Sequence, residues 1–333
     1  MTIKIIAEAG VNHNGKLLNA KKIALLAKKA GADYVKFQIF DADYIALKNL
    51  KKTNYQKKNS KKNSENQYQM LKKLSLSHFE FNNLIKYCKK IKINFLASVF
   101  DIKSLQFLKE KTNVIKIGSS EITNFFLLKD IAKLNKNLII STGMTDFTEI
   151  KMALKLLYNY GQDKKKIVLL HCNSAYPTPL SDANILTMKK LKEEFKLSTG
   201  YSDHTIGLET SYAAAALGAS IIEKHITLNK KMKGPDHKIS LNLEEFKKMV
   251  LGIRNISKTL KIKSGKLTKS EKENSNLVKK FLVAKRFIKK GERFNLNNLT
   301  AKRTGGGIQS MKINLILNKK SKKNYKIDEI IKI

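Results

Sequence analysis

Cysteine and arginine are scarce in this chain of 333 residues. Its two cysteines, Cys88 and Cys172, lack a C-x-x-C spacing and fall in apolar surroundings, which excludes a disulfide framework or a zinc knuckle. Only four arginines occur (Arg254, Arg286, Arg293, Arg303), against dozens of lysines that produce a net charge of +39. A surface selected for nucleic acid uses arginine, the better partner for phosphate and bases, and gathers its charge on one stripe. Here the lysines lie on nearly every helical face, so specific nucleic-acid binding is not expected, although non-specific sticking to polyanions at low salt is. No apolar run of about 18 residues exists, which excludes a membrane-spanning helix. The chain enters an apolar run at once, without a leader pattern, so the expected location is cytoplasmic. Neither a Walker loop nor G-x-G-x-x-G follows any strand-like run, so nucleotide binding has no support.

Present instead are eight short β-branched runs separated by lysine-faced helical segments. They are "IKIIAEAG" (3–10), "ADYVKFQIF" (32–40), "INFLASVF" (93–100), "VIKIGSSEI" (114–122), "NLIISTGM" (137–144), "IVLLHCNSAY" (167–176), "LSTGYSDH" (197–204) and "SIIEKHITL" (220–228). Alternation of this kind predicts a closed (β/α)8 TIM barrel, with an open doubly wound sheet as the alternative. Almost every run ends in polar residues, and the C-terminal ends of barrel strands are where such folds keep their chemistry. The polar stretch from Lys48 to Glu65 is read as an extended loop over that face. A final helix is predicted over 243–260. The expected domains are a barrel over 1–262, a linker over 263–276, and a small, mostly β domain over 277–333 with a Lys-Lys-Gly-Glu turn and a glycine cluster.

His204 and His225 end the last two runs, which are neighbours in a barrel, so both imidazoles can converge on one divalent cation. Taken singly, a histidine at a strand end more often makes a hydrogen bond than binds metal. The pair in adjacent strands reverses that balance. Asp203 and Glu223 either orient these ligands or bond backbone amides. Lys36, Lys116 and Lys224 lie near the ends of apolar runs and need anionic partners, or one forms a Schiff base. Ser119, Ser120, Ser141, Thr142 and Ser202 beside glycines suit a phosphate or carboxylate cradle, or are ordinary strand-end turns.

Together, the strings "AEAGVNHNG", "VKFQ", "KIGSSEITN", "STGM", "HCNSAYPTP", "GYSDHT", "EKHITL", "GPDHK" and "KRTGGGI" are familiar. Nearly end to end and in order, the chain resembles the sialic acid synthase family, which includes the N-acetylneuraminate and N,N'-diacetyllegionaminate synthases. The resemblance implies a barrel followed by an antifreeze-like (SAF) domain, in a domain-swapped homodimer whose small domain caps the partner's barrel. It implies condensation of phosphoenolpyruvate with an N-acetylated hexosamine, N-acetylmannosamine or 2,4-diacetamido-2,4,6-trideoxymannose, releasing phosphate. The cofactor implied is a divalent metal, Mn2+ foremost, with Mg2+ or Co2+ as alternatives. Carried over by motif, His204 and His225 hold the metal and act in catalysis with Glu8 and Glu223. Lys116, Ser119, Ser141, Ser174 and Ser202 hold phosphoenolpyruvate. Lys36, Gln38, Tyr176 and Asp236 surround the sugar, and Arg303 of the other subunit touches its N-acetyl group.

The chain departs from the family pattern at three places: Ser174 replaces an asparagine, "ASVF" (97–100) replaces "STPF", and Thr304 replaces a proline. A Schiff-base aldolase on Lys116 or Lys224, and a non-catalytic sugar- or polyanion-binding protein, are the rival readings of the same residues.

Overall fold

The computed structural model describes residues 3–52 and 65–332. Its backbone divides into two units, Met1–Leu260 and Lys261–Ile333. In the first, eight parallel strands pair in sequence order: β1 (Lys4–Gly10), β2 (Tyr34–Ile39), β3 (Asn94–Val99), β4 (Val114–Ile117), β5 (Asn137–Ser141), β6 (Ile167–His171), β7 (Ser198–Asp203) and β8 (Ile221–His225). β8 returns to β1 with Glu8 opposite His225, so the sheet closes into a barrel and the open doubly wound alternative falls away.

Strand parity explains why these runs form a barrel and where its polar residues go. Alternate residues face outward, among them Ile5, Val35, Phe37, Ile115, Leu138, Leu169 and Ile222, and join one large core with the helices. Residues of the other parity face inward. Ile6, Leu96, Ile139, Leu170 and Ile221 form a separate apolar floor inside the barrel. Two residues further along four of these strands stand Glu8, Ser98, Ser141 and Glu223, so the floor is overlaid by a buried polar layer. Gly200 belongs to the floor: a methyl group there would lie 2.3 Å from Ile221 O and 2.8 Å from Leu170 Cδ2, so only glycine lets these neighbours close.

Helices over His78–Lys90, Phe147–Asn159 and Leu243–Thr259 bury apolar stripes against the outer face of the sheet. Each starts at a reciprocal capping box: Ser77 with Glu80, Asp146 with Glu149, and Asn242 with Glu245. Most of the segment read as an extended loop, residues 53–64, lies outside the described residues. Its flanks are joined by Gln67 N donating to Leu50 O at 2.9 Å and by an ion pair of Lys52 with Glu65 at 3.0 Å.

The second unit pairs β9 (Lys280–Ala284) antiparallel with β10 (Leu299–Arg303) around a small core of Leu282, Ile288, Phe294, Leu299, Ile316, Tyr325 and Ile331. The stretch expected as a linker, 263–276, is corrected in part: a helix covers Lys269–Val278. Thr268 and Glu271 form a capping box at its start, and this local signal outweighs the polar composition that suggested a linker.

Candidate active site

At the C-terminal end of the barrel, Glu8, Lys36 and Glu223 meet between β1, β2 and β8. Lys36 Nζ lies 2.8 Å from Glu8 Oε2 and 3.5 Å from Glu223 Oε1, and it donates to Ser98 Oγ at 3.0 Å. Two buried carboxylates thus share one buried ammonium, and their proton affinities are driven apart. Burial pushes the Glu8 carboxyl up to about 7, with Lys36 opposing and Glu223 adding to the rise. Burial acts on Glu223 in the same direction, but Lys36, Lys116 and the Ser202 hydroxyl outweigh it and hold Glu223 below its ordinary range. For Lys36 itself, burial favours the neutral amine, yet Glu223 and Glu8 keep its pKa above the usual value.

Next to this triad, β4 to β6 carry a cluster of donors. Lys116 Nζ donates to Ser141 Oγ at 2.6 Å and to Ile117 O at 3.0 Å. Burial lowers its pKa to about 8, against the pull of Glu223, so it remains mainly an ammonium at neutral pH. Ser119 Oγ accepts from Gly143 N at 3.1 Å and lies 3.3 Å from Cys172 Sγ. A methyl group on Gly143 would come within 2.5 Å of Ser174 Oγ and 2.9 Å of Ser119 Oγ, so bare backbone is what lets these hydroxyls gather. Ser202 Oγ donates to Glu223 Oε1 at 2.9 Å and links this cluster to the carboxylates.

His204 and His225 face each other, with ring centroids 5.4 Å apart and planes inclined by 60°. Tyr176 covers them, its ring 4.3 Å from that of His204 and 5.9 Å from that of His225. His204 Nδ1 donates to Asn173 O at 2.6 Å, which makes Nε2 the unprotonated nitrogen, with Ser202 Oγ 3.5 Å from it. Burial lowers the pKa of both rings, that of His225 far below its usual value, so both are neutral imidazoles near pH 7. Among the described residues no group of three or more His, Cys, Asp or Glu side chains is arranged to hold a metal ion. The pair nevertheless suits one: His225 Nδ1 and Glu223 Oε2 are buried without a hydrogen-bond partner, and two imidazoles beside carboxylates match an Mn2+-type divalent cation. Asp236 approaches the same place. A methyl group on Gly10 would lie 3.1 Å from Glu8 Oε1 and 3.6 Å from both Asp236 Oδ2 and His225 Cε1. Burial pushes the Asp236 carboxyl up to about 7, partly offset by Lys36.

Twelve of the expected residues, Glu8, Lys36, Gln38, Lys116, Ser119, Ser141, Ser174, Tyr176, Ser202, His204, Glu223 and His225, line one cavity of about 470 Å³. Two others singled out at the strand ends, Lys224 and Asp203, do not line it, and Asp203 takes the second of its two readings, bonding a backbone amide. Lys224 has the opposite parity to Glu223 and His225, and its Nζ pairs with Asp203 Oδ2 at 2.8 Å and donates to Thr205 O at 2.7 Å. It is therefore no candidate for a Schiff base. Asp203 orients neither imidazole directly: it accepts from Thr205 N, Thr205 Oγ1, Thr210 Oγ1 and Ser211 Oγ, and so ties down the turn after β7. Arg303 ends β10 in the second unit, opposite Lys280, with an exposed side chain.

Support from Asn12 and Ser240 was not read from the sequence. Asn12 Nδ2 donates to Ile226 O at 2.9 Å and to Ser240 Oγ at 2.8 Å, and Ser240 Oγ donates to Asp236 O at 2.6 Å. One amide thus braces both the residue after His225 and the turn carrying Asp236. The string "AEAGVNHNG" contains Asn12, but nothing local tells that its partners lie more than two hundred positions away.

Residues 23–265 match the model of the NeuB family, and residues 279–333 match that of the SAF domain. The chain is 49% identical to the N,N'-diacetyllegionaminic acid synthase of Campylobacter jejuni, an alignment covering 98% of each protein. To the synthase of the same name from Legionella pneumophila it is 39% identical, over 97% of this chain and 92% of the relative. Its fold is similar to that of the N-acetylneuraminic acid synthetase of Leptospira borgpetersenii, crystallised with citrate, with a TM-score of 0.71 and 32% identity over 82% of this chain and 90% of the other.

Proposed function

We propose, from the premise that the chain belongs to the NeuB family and is a nonulosonic acid synthase, that it joins phosphoenolpyruvate to 2,4-diacetamido-2,4,6-trideoxymannose with release of phosphate. The observation that carries this reading is one cavity in which a lysine and serine cradle adjoins two facing neutral imidazoles. Lys116 offsets the charge of the phosphate, while Ser119, Ser141 and Ser174 donate to its oxygens or to the carboxylate. Lys36, Gln38, Tyr176 and Asp236 hold the sugar, so that the enol carbon and the aldehyde carbon meet without loss to free diffusion. A C–C bond forms between them, water adds at C2 of the former phosphoenolpyruvate, and phosphate leaves with its bridging oxygen. Glu8, near pKa 7, is poised to deliver a proton to the aldehyde oxygen, and Glu223, ionised, fixes Lys36 and Ser202.

His204 and His225 would hold a divalent cation, Mn2+ foremost, which polarises the aldehyde when bound. In the same reading the protein works as a homodimer in a soluble compartment, and Arg303 of one subunit reaches the acetamido group held by the other. A planar fork of donors, in a chain that otherwise uses lysine, suits that contact. A second reading, a Schiff-base aldolase, is favoured by one observation only, the lowered pKa of Lys116.

The test is phosphate release by the purified protein. Release is expected only with phosphoenolpyruvate, the acetamido sugar and Mn2+ together, and is expected to stop with EDTA. His204→Ala and His225→Ala are expected to lose Mn2+ binding, read by the return of the free-ion signal in electron paramagnetic resonance. EDTA-insensitive release, or tight Mn2+ binding by both variants, refutes the metal assignment; a borohydride-trapped pyruvate adduct on Lys116 favours the aldolase.

A further inference from the structure

Around the barrel mouth, the donor cluster occupies β4 to β6 and the imidazoles occupy β7 and β8. An acceptor whose aldehyde lies beside the imidazoles and whose attacking partner sits in the cluster has one arc left for its tail, the arc above β1 to β3. The wall there is unlike the rest of the cavity. Ile45, Leu71 and Phe100 line it, each half-buried, and behind them they pack on a satellite apolar cluster of Val11, Phe40, Met70 and Leu74. Phe40 and Phe100 meet edge to face with centroids 6.1 Å apart, which fixes the ring presented to the cavity. Gln67 is the polar side chain beside them on helix Gln67–Leu74.

We propose that this wall selects the acceptor, favouring a sugar with a methyl at C6 and an acetamido group at C4 over one carrying hydroxyls or a phosphate there. The inference rests on the function proposed above and names the residues that read the far end of the substrate. A C6 methyl and an acetyl methyl bury apolar surface against Ile45, Leu71 and Phe100, while the amide of the C4 group meets Gln67. A C6 hydroxyl would lose its water and find no partner in Ile45, Leu71 or Phe100. A C6 phosphate needs a cation, and the lysines lining the cavity are otherwise engaged, Lys36 between two carboxylates and Lys116 in the donor cluster.

The test compares kcat/KM for 2,4-diacetamido-2,4,6-trideoxymannose, N-acetylmannosamine and N-acetylmannosamine 6-phosphate at saturating phosphoenolpyruvate and Mn2+. The first sugar is expected to lead by about 10- to 100-fold, the discrimination an apolar pocket supplies. In Leu71→Asn and Ile45→Asn, made separately so that one misfolded variant does not decide the matter, the lead over N-acetylmannosamine is expected to shrink about tenfold. KM for phosphoenolpyruvate is expected to stay unchanged in both. A wild-type protein that prefers either hydroxylated or phosphorylated sugar, or an unchanged ratio in the folded variants, overturns the selection while leaving the synthase intact. Absence of phosphate release with all three sugars overturns both the proposed function and this inference.

Discussion

Replacing Lys224 with methionine separates a structural lysine from a chemical one. Both partners of the Lys224–Asp203 pair are essentially inaccessible, at 1% and 0% side-chain exposure, so neither charge is screened by water. Breaking such a pair costs about 3–5 kcal/mol, because the remaining charge stays buried. Asp203 keeps four donors from Thr205, Thr210 and Ser211, which places the expected loss at the lower end, about 3 kcal/mol. In a barrel of this size that corresponds to a fall in Tm of about 6–12 °C by calorimetry. Adding Asp203→Asn to Lys224→Met removes the orphaned charge and is expected to recover about half of the loss, an interaction visible only in the double-variant cycle. Below both transitions, kcat of Lys224→Met is expected within about threefold of wild type, since the ammonium does not line the cavity. A Tm within 2 °C of wild type, additive single effects, or a collapse of kcat would each refute this reasoning.

Two further expectations concern the turns after β1 and β8. His13 is buried, its Nδ1 accepts from Gly15 N at 3.1 Å, and burial lowers its pKa from 6.5 to about 4. The unfolded chain therefore takes up this proton first as pH falls, and the stability present above pH 6.5 is lost progressively toward pH 4, by about 2 kcal/mol at pH 5. Urea unfolding at pH 7 and pH 5 checks this: His13→Gln is expected to reduce the difference by about 2 kcal/mol, the remainder coming from other buried histidines such as His204, His225 and His237, and an equal drop in wild type and variant refutes it. Asn12→Ala removes the brace shared by Ile226 and Ser240. It is expected to lower kcat about tenfold and raise KM for the sugar, with KM for phosphoenolpyruvate unchanged. Loss of stability with unaltered kinetics would make Asn12 a purely structural residue.

Much of the barrel was legible because its signal is local. Each run begins with inward and outward apolar residues in alternation and ends in polar ones, so eight strands and the polar mouth follow from parity and length. Parity also contained the answer for Lys224: with Glu223 and His225 facing inward, the residue between them must face the helices. Reading the three lysines by distance from strand ends alone overlooked that. Helix Lys269–Val278, most of which falls in the expected linker, was marked by a Thr-x-x-Glu cap, which composition obscures. What could not be read is long-range. The brace from Asn12 spans 214 and 228 positions, and the convergence of Ile45, Leu71 and Phe100 on one wall depends on how a connecting helix folds back over the mouth.

The ion triad of Glu8, Lys36 and Glu223 straddles the seam where the first strand receives the last. During synthesis, β1 and β2 emerge early with a glutamate and a lysine bound for the interior, and their balancing partner arrives only after some two hundred further residues. A chain that ends before β7 holds the donor cluster of β4 to β6 but neither the imidazoles nor the second carboxylate. The full set of facing charges and imidazoles is therefore complete only when β8 docks on β1, and a chain cut before residue 221 is expected to lack the condensation activity.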